Sequence, residues 1–232
     1  MFLYYMRHGE PIYDPDSLTE WGHKQAAALS KRLQTINFSQ IYSSSSIRAQ
    51  MTAQPTCDAL KKEKIILEWA HEGLVAHDFW VTDENGKRGW AHLTPKYIDR
   101  MNAPDVRALG RKWYEHPDFA NEGFARGTKR VDKEADAFLE NLGFKHDREN
   151  GWYTVTKKNS DNVAFFAHEG FGKVFLSSIL DIPYPMIATR FALDLTSVTV
   201  IYFNENAERV YPQVIQWGND SHLYKENLLK DE

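Results

Sequence analysis

Short apolar runs alternate with helical segments in the first part of the chain, and this alternation limits the fold more than any other feature. A run that is apolar at consecutive positions, rather than at every second one, is typical of a central strand covered on both faces. Short connections between such strands and helices favour a largely parallel sheet. The predicted order is a strand at residues 2–6, a helix at about 18–35, a strand at 41–43, a helix at 47–60 and a strand at 65–67.

Two local signals bear on the ends of these helices. The stretch Ser17-Leu18-Thr19-Glu20 fits a capping box that starts at Ser17. Pro55 lacks a backbone donor and is expected to kink or shorten the second helix.

The alternation breaks down between residues 72 and 128, where prolines, aromatic residues and basic residues occur with only short helical patches. This segment has too few periodic apolar residues to build its own core, so a lid inserted over one sheet edge is favoured over a second domain. The remaining elements are a helix at 131–142 followed by Gly143, a strand at 163–167, a helix at 170–180 ended by prolines, and a closing hairpin of strands at 197–203 and 209–217. We therefore predict one domain over residues 1–232, a three-layer α/β/α fold with a mostly parallel central sheet and a lid at 72–128.

Charge and cysteine content exclude several functions. The net charge of -4 and the pI near 6.1 argue against a general binder of nucleic acid or anionic membranes. The apolar N-terminal run reaches Arg7 too soon for a signal peptide or a membrane span. The single cysteine, Cys57, cannot form an intramolecular disulfide, and its surroundings favour a packed structural thiol. We expect a cytoplasmic protein, and nothing in the sequence indicates its oligomeric state.

Polar segments lie at the ends of three predicted strands, at residues 6–10, 42–49 and 167–170. In a doubly wound sheet, the carboxyl ends of adjacent strands open onto a common crevice. Two arginines and two histidines are therefore expected to converge there: Arg7, His8, Arg48 and His168.

This set of side chains suits a phosphoryl group, because each can donate hydrogen bonds to its oxygens while charge redistributes during transfer. A helix that opens at Glu169 or Gly170 would add backbone N–H groups and the positive end of its dipole. Of the two histidines, His8 is the better candidate nucleophile. A close backbone carbonyl beside Gly9 could accept its Nδ1 proton and leave Nε2 free to attack.

The ordered motifs resemble those of the histidine phosphatase superfamily, which has the phosphoglycerate-mutase-like fold. Its signatures are similar to Arg7-His8-Gly9-Glu10, to the Leu-Thr-x-x-Gly pattern at residues 18–22, to the serine-rich run and Arg48 within residues 43–53, and to His168 after an apolar strand. The resemblance extends from residue 2 to about residue 203, with a gap in the lid. This chain departs from the family at Ser45, where proline is usual, and at Glu169, where a small or neutral residue is commoner.

The resemblance implies a role for each converging residue. His8 is the nucleophile that becomes phosphorylated, while Arg7, Arg48 and His168 bind the phosphoryl oxygens and stabilise the transition state. Glu169 is grouped with the substrate-binding residues, because an acidic side chain beside the second histidine could alter the charge balance or the substrate preference of the pocket.

A proton donor is also required, since an alkoxide is a poor leaving group. Members of the family usually provide a glutamate shortly after the third strand, where this chain has Glu68 and Glu72. Glu72 is preferred, because the run from Trp69 to Glu72 is similar to the Trp-x-x-Glu pattern of a subgroup at the entry to the lid. Glu68 is the alternative.

Hydrolysis of a small phosphomonoester, with a phosphorylated metabolite or phosphate as the only predicted partner, is the favoured function. A phosphoglycerate-mutase-type phosphotransferase is the first alternative, but residues 10–16 are short and differ from the Asn-containing specificity segment of those mutases. A non-catalytic phospho-ligand binding module is the second alternative. Such a module would be expected to lack the nucleophile or the acid, whereas this chain has a candidate for each. No metal or cofactor is predicted, because the spacings of the lid candidates match no tetrahedral zinc set: His71, His77, Asp78 and His92.

Overall fold

The computed structural model describes residues 1–228, which form thirteen strands and nine α-helices. The strands are β1 (Phe2–Arg7), β2 (Pro11–Tyr13), β3 (Asp16–Leu18), β4 (Phe38–Ser44), β5 (Lys64–Leu67), β6 (Trp80–Thr82), β7 (Arg88–Trp90), β8 (Phe144–Asp147), β9 (Trp152–Val155), β10 (Asn162–Ala167), β11 (Val198–Tyr202), β12 (Arg209–Val210) and β13 (Gln213–Asn219). The helices are α1 (Glu20–Leu33), α2 (Ile47–Leu60), α3 (Glu72–Phe79), α4 (Pro95–Met101), α5 (Pro104–Ala108), α6 (Phe124–Asn141), α7 (Glu169–Leu180), α8 (Tyr184–Arg190) and α9 (Ser221–Lys225). Short 3₁₀ helices span Glu68–Ala70, Ala91–Leu93, Gly110–Glu115 and Pro117–Phe119.

The central sheet has six strands in the order β13-β11-β1-β10-β4-β5. The four strands β1, β10, β4 and β5 are parallel, while β11 is antiparallel to β1 and β13 is antiparallel to β11. The prediction of an α/β fold with a mostly parallel central sheet is confirmed.

Buried cores lie on both faces of this sheet, which explains the continuous apolar runs. Leu3 and Tyr5 of β1 pack into a core that includes side chains of α6 and α7, whereas Met6 packs into a second core with Leu29 of α1 and Ala53 of α2. Successive side chains of a strand point to opposite faces, so a strand between two helical layers must be apolar at almost every position.

The beginning of α1 differs from the prediction. Thr19, not Ser17, caps the helix, and its Oγ1 accepts the N–H of Gly22 at 2.9 Å. Ser17 lies instead in β3, which pairs with β2 to form a hairpin that the sequence did not predict. The second helix matches its predicted bounds of 47–60. Pro55 does not shorten it, because the helix continues past this residue, and the alternative expectation of a kink stays a prediction.

The second half of the chain also differs in detail. The helix predicted at 131–142 begins earlier, at Phe124, and the lid at 72–128 therefore overlaps its first turn. Gly143 follows that helix with a φ of +97°, a conformation that favours glycine. The predicted last strand is two strands, because β12 pairs with β9 and only β13 pairs with β11.

The lid region packs onto the body of the protein. Its buried side chains Val75, Phe79 and Trp113 belong to the same core as Leu3 and Phe165 of the central sheet. The division of residues 1–232 into one domain with a lid stays a prediction. Within residues 1–228, no helix is both long and apolar enough to cross a membrane.

Candidate active site

The polar ends of three neighbouring strands meet at one edge of the sheet. Because β10 lies between β1 and β4, with Arg7 opposite Ala167 and Phe166 opposite Ser43, the residues that follow these strands are adjacent in space. Arg48 comes from the first turn of α2, which follows β4, and Glu72 is the first residue of α3. The structure thus brings together the predicted residues Arg7, His8, Arg48, Glu72, His168 and Glu169.

His8 is buried and its ring has a defined orientation. Its Nδ1 lies 2.7 Å from the carbonyl oxygen of Gly9, so Nδ1 carries the proton and Nε2 keeps its lone pair. Burial, reinforced by the charges of Arg7 and Arg48, lowers the pKa of His8 to about 3, although the hydrogen bond to Gly9 acts in the opposite direction. The imidazole is therefore neutral at ordinary pH, as a nucleophile must be.

Close backbone packing explains the glycines of two motifs. A Cβ on Gly9 would lie 2.7 Å from the carbonyl oxygen of Gly22, and a Cβ on Gly22 would lie 2.3 Å from the carbonyl oxygen of Glu10. The loop that carries His8 can rest against the start of α1 only when both positions lack a side chain. The N–H of Gly9 donates to Thr52 Oγ1 at 3.0 Å, which ties the loop to α2 as well.

His168 is fully buried beside His8, with the two ring centroids 5.2 Å apart. Its Nε2 lies 2.8 Å from Ser44 Oγ, and its Nδ1 lies 3.4 Å from Glu72 Oε2 without a hydrogen bond. When Ser44 donates to Nε2, the proton of His168 is on Nδ1. Burial, and then the proximity of His8 and Arg48, hold the pKa of His168 well below its usual value.

Arg48 is held by two carboxylates. Its Nη1 lies 2.7 Å from Asp16 Oδ1, and its Nη2 lies 3.0 Å from Glu72 Oε2. Asp16 Oδ2 also accepts the N–H of Ile47 at 2.7 Å, so one side chain binds both the guanidinium and the start of α2. The guanidinium is thereby fixed with little freedom to rotate.

Glu169 neutralises cations at the site. Its Oε2 lies 2.7 Å from Arg7 Nη1, and its Oε1 lies 2.9 Å from Nζ of the buried Lys173. Arg7 Nη1 also donates to the carbonyl of Leu193 at 2.6 Å. The acidic residue that departs from the family pattern is thus paired with two cations, and its predicted role in binding substrate stays a prediction.

Glu72 occupies the position expected of a proton donor. Its Oε1 accepts the N–H of Gly170 at 2.9 Å, and burial raises the pKa of its carboxyl group against the opposing effects of Arg48, Arg7 and the Gly170 hydrogen bond. Glu68 is exposed in the 3₁₀ helix that precedes it. Glu72 rather than Glu68 therefore contacts the other site residues, and its role as the proton donor stays a prediction.

Three buried polar atoms at the site lack a hydrogen-bond partner among residues 1–228: Arg7 Nε, Arg48 Nε and His168 Nδ1. Leaving such a group unsatisfied costs about 1–3 kcal/mol, and more when it is charged. The two Nε–H groups donate, and Nδ1 of His168 also donates when Ser44 donates to its Nε2, so an anion that accepts from them would remove this cost.

A metal site was not predicted at this position, yet ligand atoms of His8, Glu72 and His168 lie within 4.8 Å of one another. The nearby guanidinium groups oppose a cation there, because Arg48 contacts the Glu72 carboxylate directly and Arg7 carries a second positive charge. A phosphate anion suits these guanidinium groups better than a metal cation does. Two of the lid residues weighed as zinc ligands have other partners, since Asp78 binds Arg126 and Arg130 and His92 bonds to Tyr184.

Several contributors were missed by the sequence analysis. Lys173 lies four residues after Glu169, a spacing that favours an ion pair on a helix and could have indicated their contact. Ser44 belongs to the motif that contains Arg48, but no pattern in the sequence indicated that it contacts a site residue. Asp16 also carried none, because its contact depends on the hairpin of β2 and β3.

Residues 3–77, which include Arg7, His8, Arg48 and Glu72, match the sequence model of the histidine phosphatase superfamily, branch 1. No curated protein matches the chain in sequence. The fold is similar to that of phosphoserine phosphatase from Entamoeba histolytica, crystallised as a mutant with phosphoserine, with a TM-score of 0.60, 19% identity, and 96% of this chain and 98% of that chain covered. It is also similar to a mycobacterial glucosyl-3-phosphoglycerate phosphatase (TM-score 0.58, 19% identity, 94% and 98% covered) and to the alpha-ribazole phosphatase from Shigella flexneri (TM-score 0.59, 18% identity, 95% and 97% covered).

The fold is that of the phosphoglycerate-mutase-like α/β proteins. The predicted resemblance to the histidine phosphatase superfamily is confirmed by the family match over residues 3–77, which contains the Arg-His-Gly motif.

The Asp16 contact leads to a prediction about Arg48. In the variant Asp16→Asn, the guanidinium loses an ionic partner at Nη1 and its orientation is less fixed, so we expect kcat/KM for phenyl phosphate to fall about tenfold or more. The control is Asp14→Asn, an exposed aspartate in the same hairpin, which should retain the wild-type rate. Equal effects of the two substitutions would contradict a specific role for Asp16.

Proposed function

We propose that the protein is a metal-independent phosphatase that hydrolyses a small phosphomonoester through a phosphohistidine at His8. The observation that carries this proposal is the pair of buried, unpartnered Nε–H groups of Arg7 and Arg48, together with the unpartnered Nδ1 of His168, beside a neutral His8 whose Nδ1 is already bonded to a carbonyl. Because His8 and His168 offer ring nitrogens within 4.8 Å of one another, a phosphoryl group bound beside His168 would lie close to His8. The family match and the phosphatases of similar fold support the same class of activity.

The first chemical step forms the bond between Nε2 of His8 and phosphorus while the bond between phosphorus and the ester oxygen breaks. Glu72 donates its proton to the departing oxygen, so an alcohol leaves rather than an alkoxide. In the second step, the Glu72 carboxylate takes a proton from water, the resulting hydroxide attacks phosphorus, and the phosphorus–nitrogen bond breaks. Inorganic phosphate is released, and His8 and Glu72 return to their starting states.

The charges at the site suit this sequence of steps. Three cations and three carboxylates lie within it, so the site is close to neutral when Glu72 is ionised: Arg7, Arg48 and Lys173 with Asp16, Glu72 and Glu169. Protonation of Glu72 leaves one net positive charge to offset the phosphate. A bound phosphate dianion also favours this protonation, because like charges raise the pKa of a carboxyl group. Substrate binding therefore helps to keep Glu72 protonated, as a general acid must be.

The phosphohistidine can be trapped directly. Wild-type protein mixed with phosphorus-labelled phenyl phosphate and quenched in alkali should carry label on His8, because phosphohistidine survives base and is lost in acid. The Cys57→Ser variant, which lacks the only thiol, should be labelled equally. Label should leave as inorganic phosphate without an added acceptor, which separates a phosphatase from a mutase.

The same labelling experiment tests whether turnover requires a metal ion. With a chelator present, labelling and turnover should be unchanged. Loss of turnover that a divalent metal restores would instead assign His8, Glu72 and His168 to a metal site. Turnover without any trapped label, at every quench time, would contradict the covalent route.

A further inference from the structure

The position of Glu72 indicates where the leaving group lies, and this inference rests on the function proposed above. A general acid must be within hydrogen-bond reach of the oxygen that it protonates. The leaving group must therefore lie beside the Glu72 carboxylate, next to the residues that contact it. Those contacts are Arg48 at Oε2 and the backbone of Gly170 at Oε1.

An aromatic ring contacts Arg48, the residue that binds Glu72 Oε2. Tyr13, at the end of β2, places its ring centroid 5.4 Å from Cζ of Arg48. The side chain is nevertheless 70% exposed, so most of the ring has no protein partner. An exposed tyrosine that rests on a catalytic arginine offers a free aromatic surface beside that arginine.

A second ring lies on the Gly170 side. A Cβ on Gly170 would come within 2.3 Å of the Trp90 ring, so the indole occupies the space that a side chain at position 170 would need. Trp80 and His92 hold this indole, with ring centroids at 6.2 Å and 5.5 Å from it. The lid therefore fixes the indole directly against the residue whose N–H binds Glu72.

We propose that Tyr13 and Trp90 line a leaving-group subsite and that the preferred substrates are phosphomonoesters of planar aromatic alcohols. Aromatic side chains bind flat apolar groups through dispersion and stacking, and they leave the phosphate to the charged residues. One wall of the subsite comes from the hairpin of β2 and β3 and the other from the lid. The proposal gives a function to an exposed tyrosine that the phosphoryl chemistry does not use.

The test compares phenyl phosphate with glycerol 2-phosphate in the wild type, Tyr13→Ala and Tyr13→Phe. Tyr13→Ala should lower kcat/KM about three- to tenfold more for phenyl phosphate than for glycerol 2-phosphate. Tyr13→Phe keeps the ring and should behave like the wild type with both substrates. Trp90→Leu should show the same selective loss, and Tyr224→Ala, which removes an exposed tyrosine on α9, should show none.

The change in the ratio between the two substrates is the measured quantity, so the better leaving ability of phenol cancels. An equal loss for both esters in Tyr13→Ala would assign Tyr13 to Arg48 alone and overturn the subsite. Unchanged rates for both would overturn it as well. Failure of the wild type to hydrolyse either ester would instead count against the proposed phosphatase function, so the two failures are distinguishable.

Discussion

Replacing His8 with alanine should reduce phosphomonoester hydrolysis by about 1,000-fold or more, because the variant lacks the atom that accepts the phosphoryl group. Arg7, Arg48 and His168 remain, so inorganic phosphate should still bind and protect the variant against thermal unfolding. The measurements are kcat/KM for phenyl phosphate and the shift in Tm with phosphate. No label should remain on the variant after an alkaline quench.

A control substitution at another histidine shows whether the loss of turnover is specific to His8. His77 is a histidine of α3 whose side chain is 74% exposed, and His77→Ala should keep wild-type turnover. Circular dichroism should show that His8→Ala retains its helices and strands. Turnover close to that of the wild type in a folded His8→Ala protein would disprove the phosphohistidine mechanism.

Replacing Glu72 with glutamine should slow alkyl phosphate hydrolysis by about 100-fold or more, since general acid–base catalysis contributes roughly this factor. Glutamine has nearly the same shape and can still accept the N–H of Gly170, but it cannot donate a proton to the leaving oxygen. With 4-nitrophenyl phosphate, whose leaving group needs no proton, the first step should stay fast. Phosphorylated protein should then accumulate, because the second step also depends on the carboxylate. A burst of nitrophenol release measures both effects.

The pH dependence follows from the raised pKa of Glu72. A carboxyl group with a raised pKa keeps its proton to higher pH, so kcat/KM for alkyl phosphates should fall as the pH rises through that value. In Glu72→Gln this decline should disappear, and only the second ionisation of the phosphate itself, near pH 6, should remain. His8 has a pKa of about 3 and stays neutral throughout this range.

Glu68 provides the control for the acid. Glu68→Gln changes an exposed side chain and should leave turnover and the pH profile unchanged. A large loss in Glu68→Gln together with normal turnover in Glu72→Gln would reassign the proton donor.

The order of strands and helices was predictable because it depends on local periodicity. A strand between two helical layers needs apolar residues on both faces, and β1 and β10 show this pattern directly. The convergence of Arg7, His8 and His168 followed from a general property of parallel sheets, since β1 and β10 are neighbours in register. The same property placed Arg48, which follows β4, beside them, and the resemblance added Glu72.

The hairpin of β2 and β3 was not predictable in the same way. Its strands have three residues each, too few for an alternating pattern, and the capping signal at residues 17–20 pointed to a helix instead. The C-terminal strands were misassigned for a related reason, because β12 leaves the central sheet to pair with β9. Periodicity marks a strand but does not say which strand it pairs with.

The sequence by itself determined the α/β class and the residue types that end each strand, because both depend on neighbours within a few positions. Only the tertiary structure decided that Asp16 holds Arg48 from thirty-two positions away and that Trp90 packs on Gly170. It also places Glu72 rather than Glu68 against His168 and Arg48. Such contacts depend on how distant segments pack, and no local pattern in the chain records that packing.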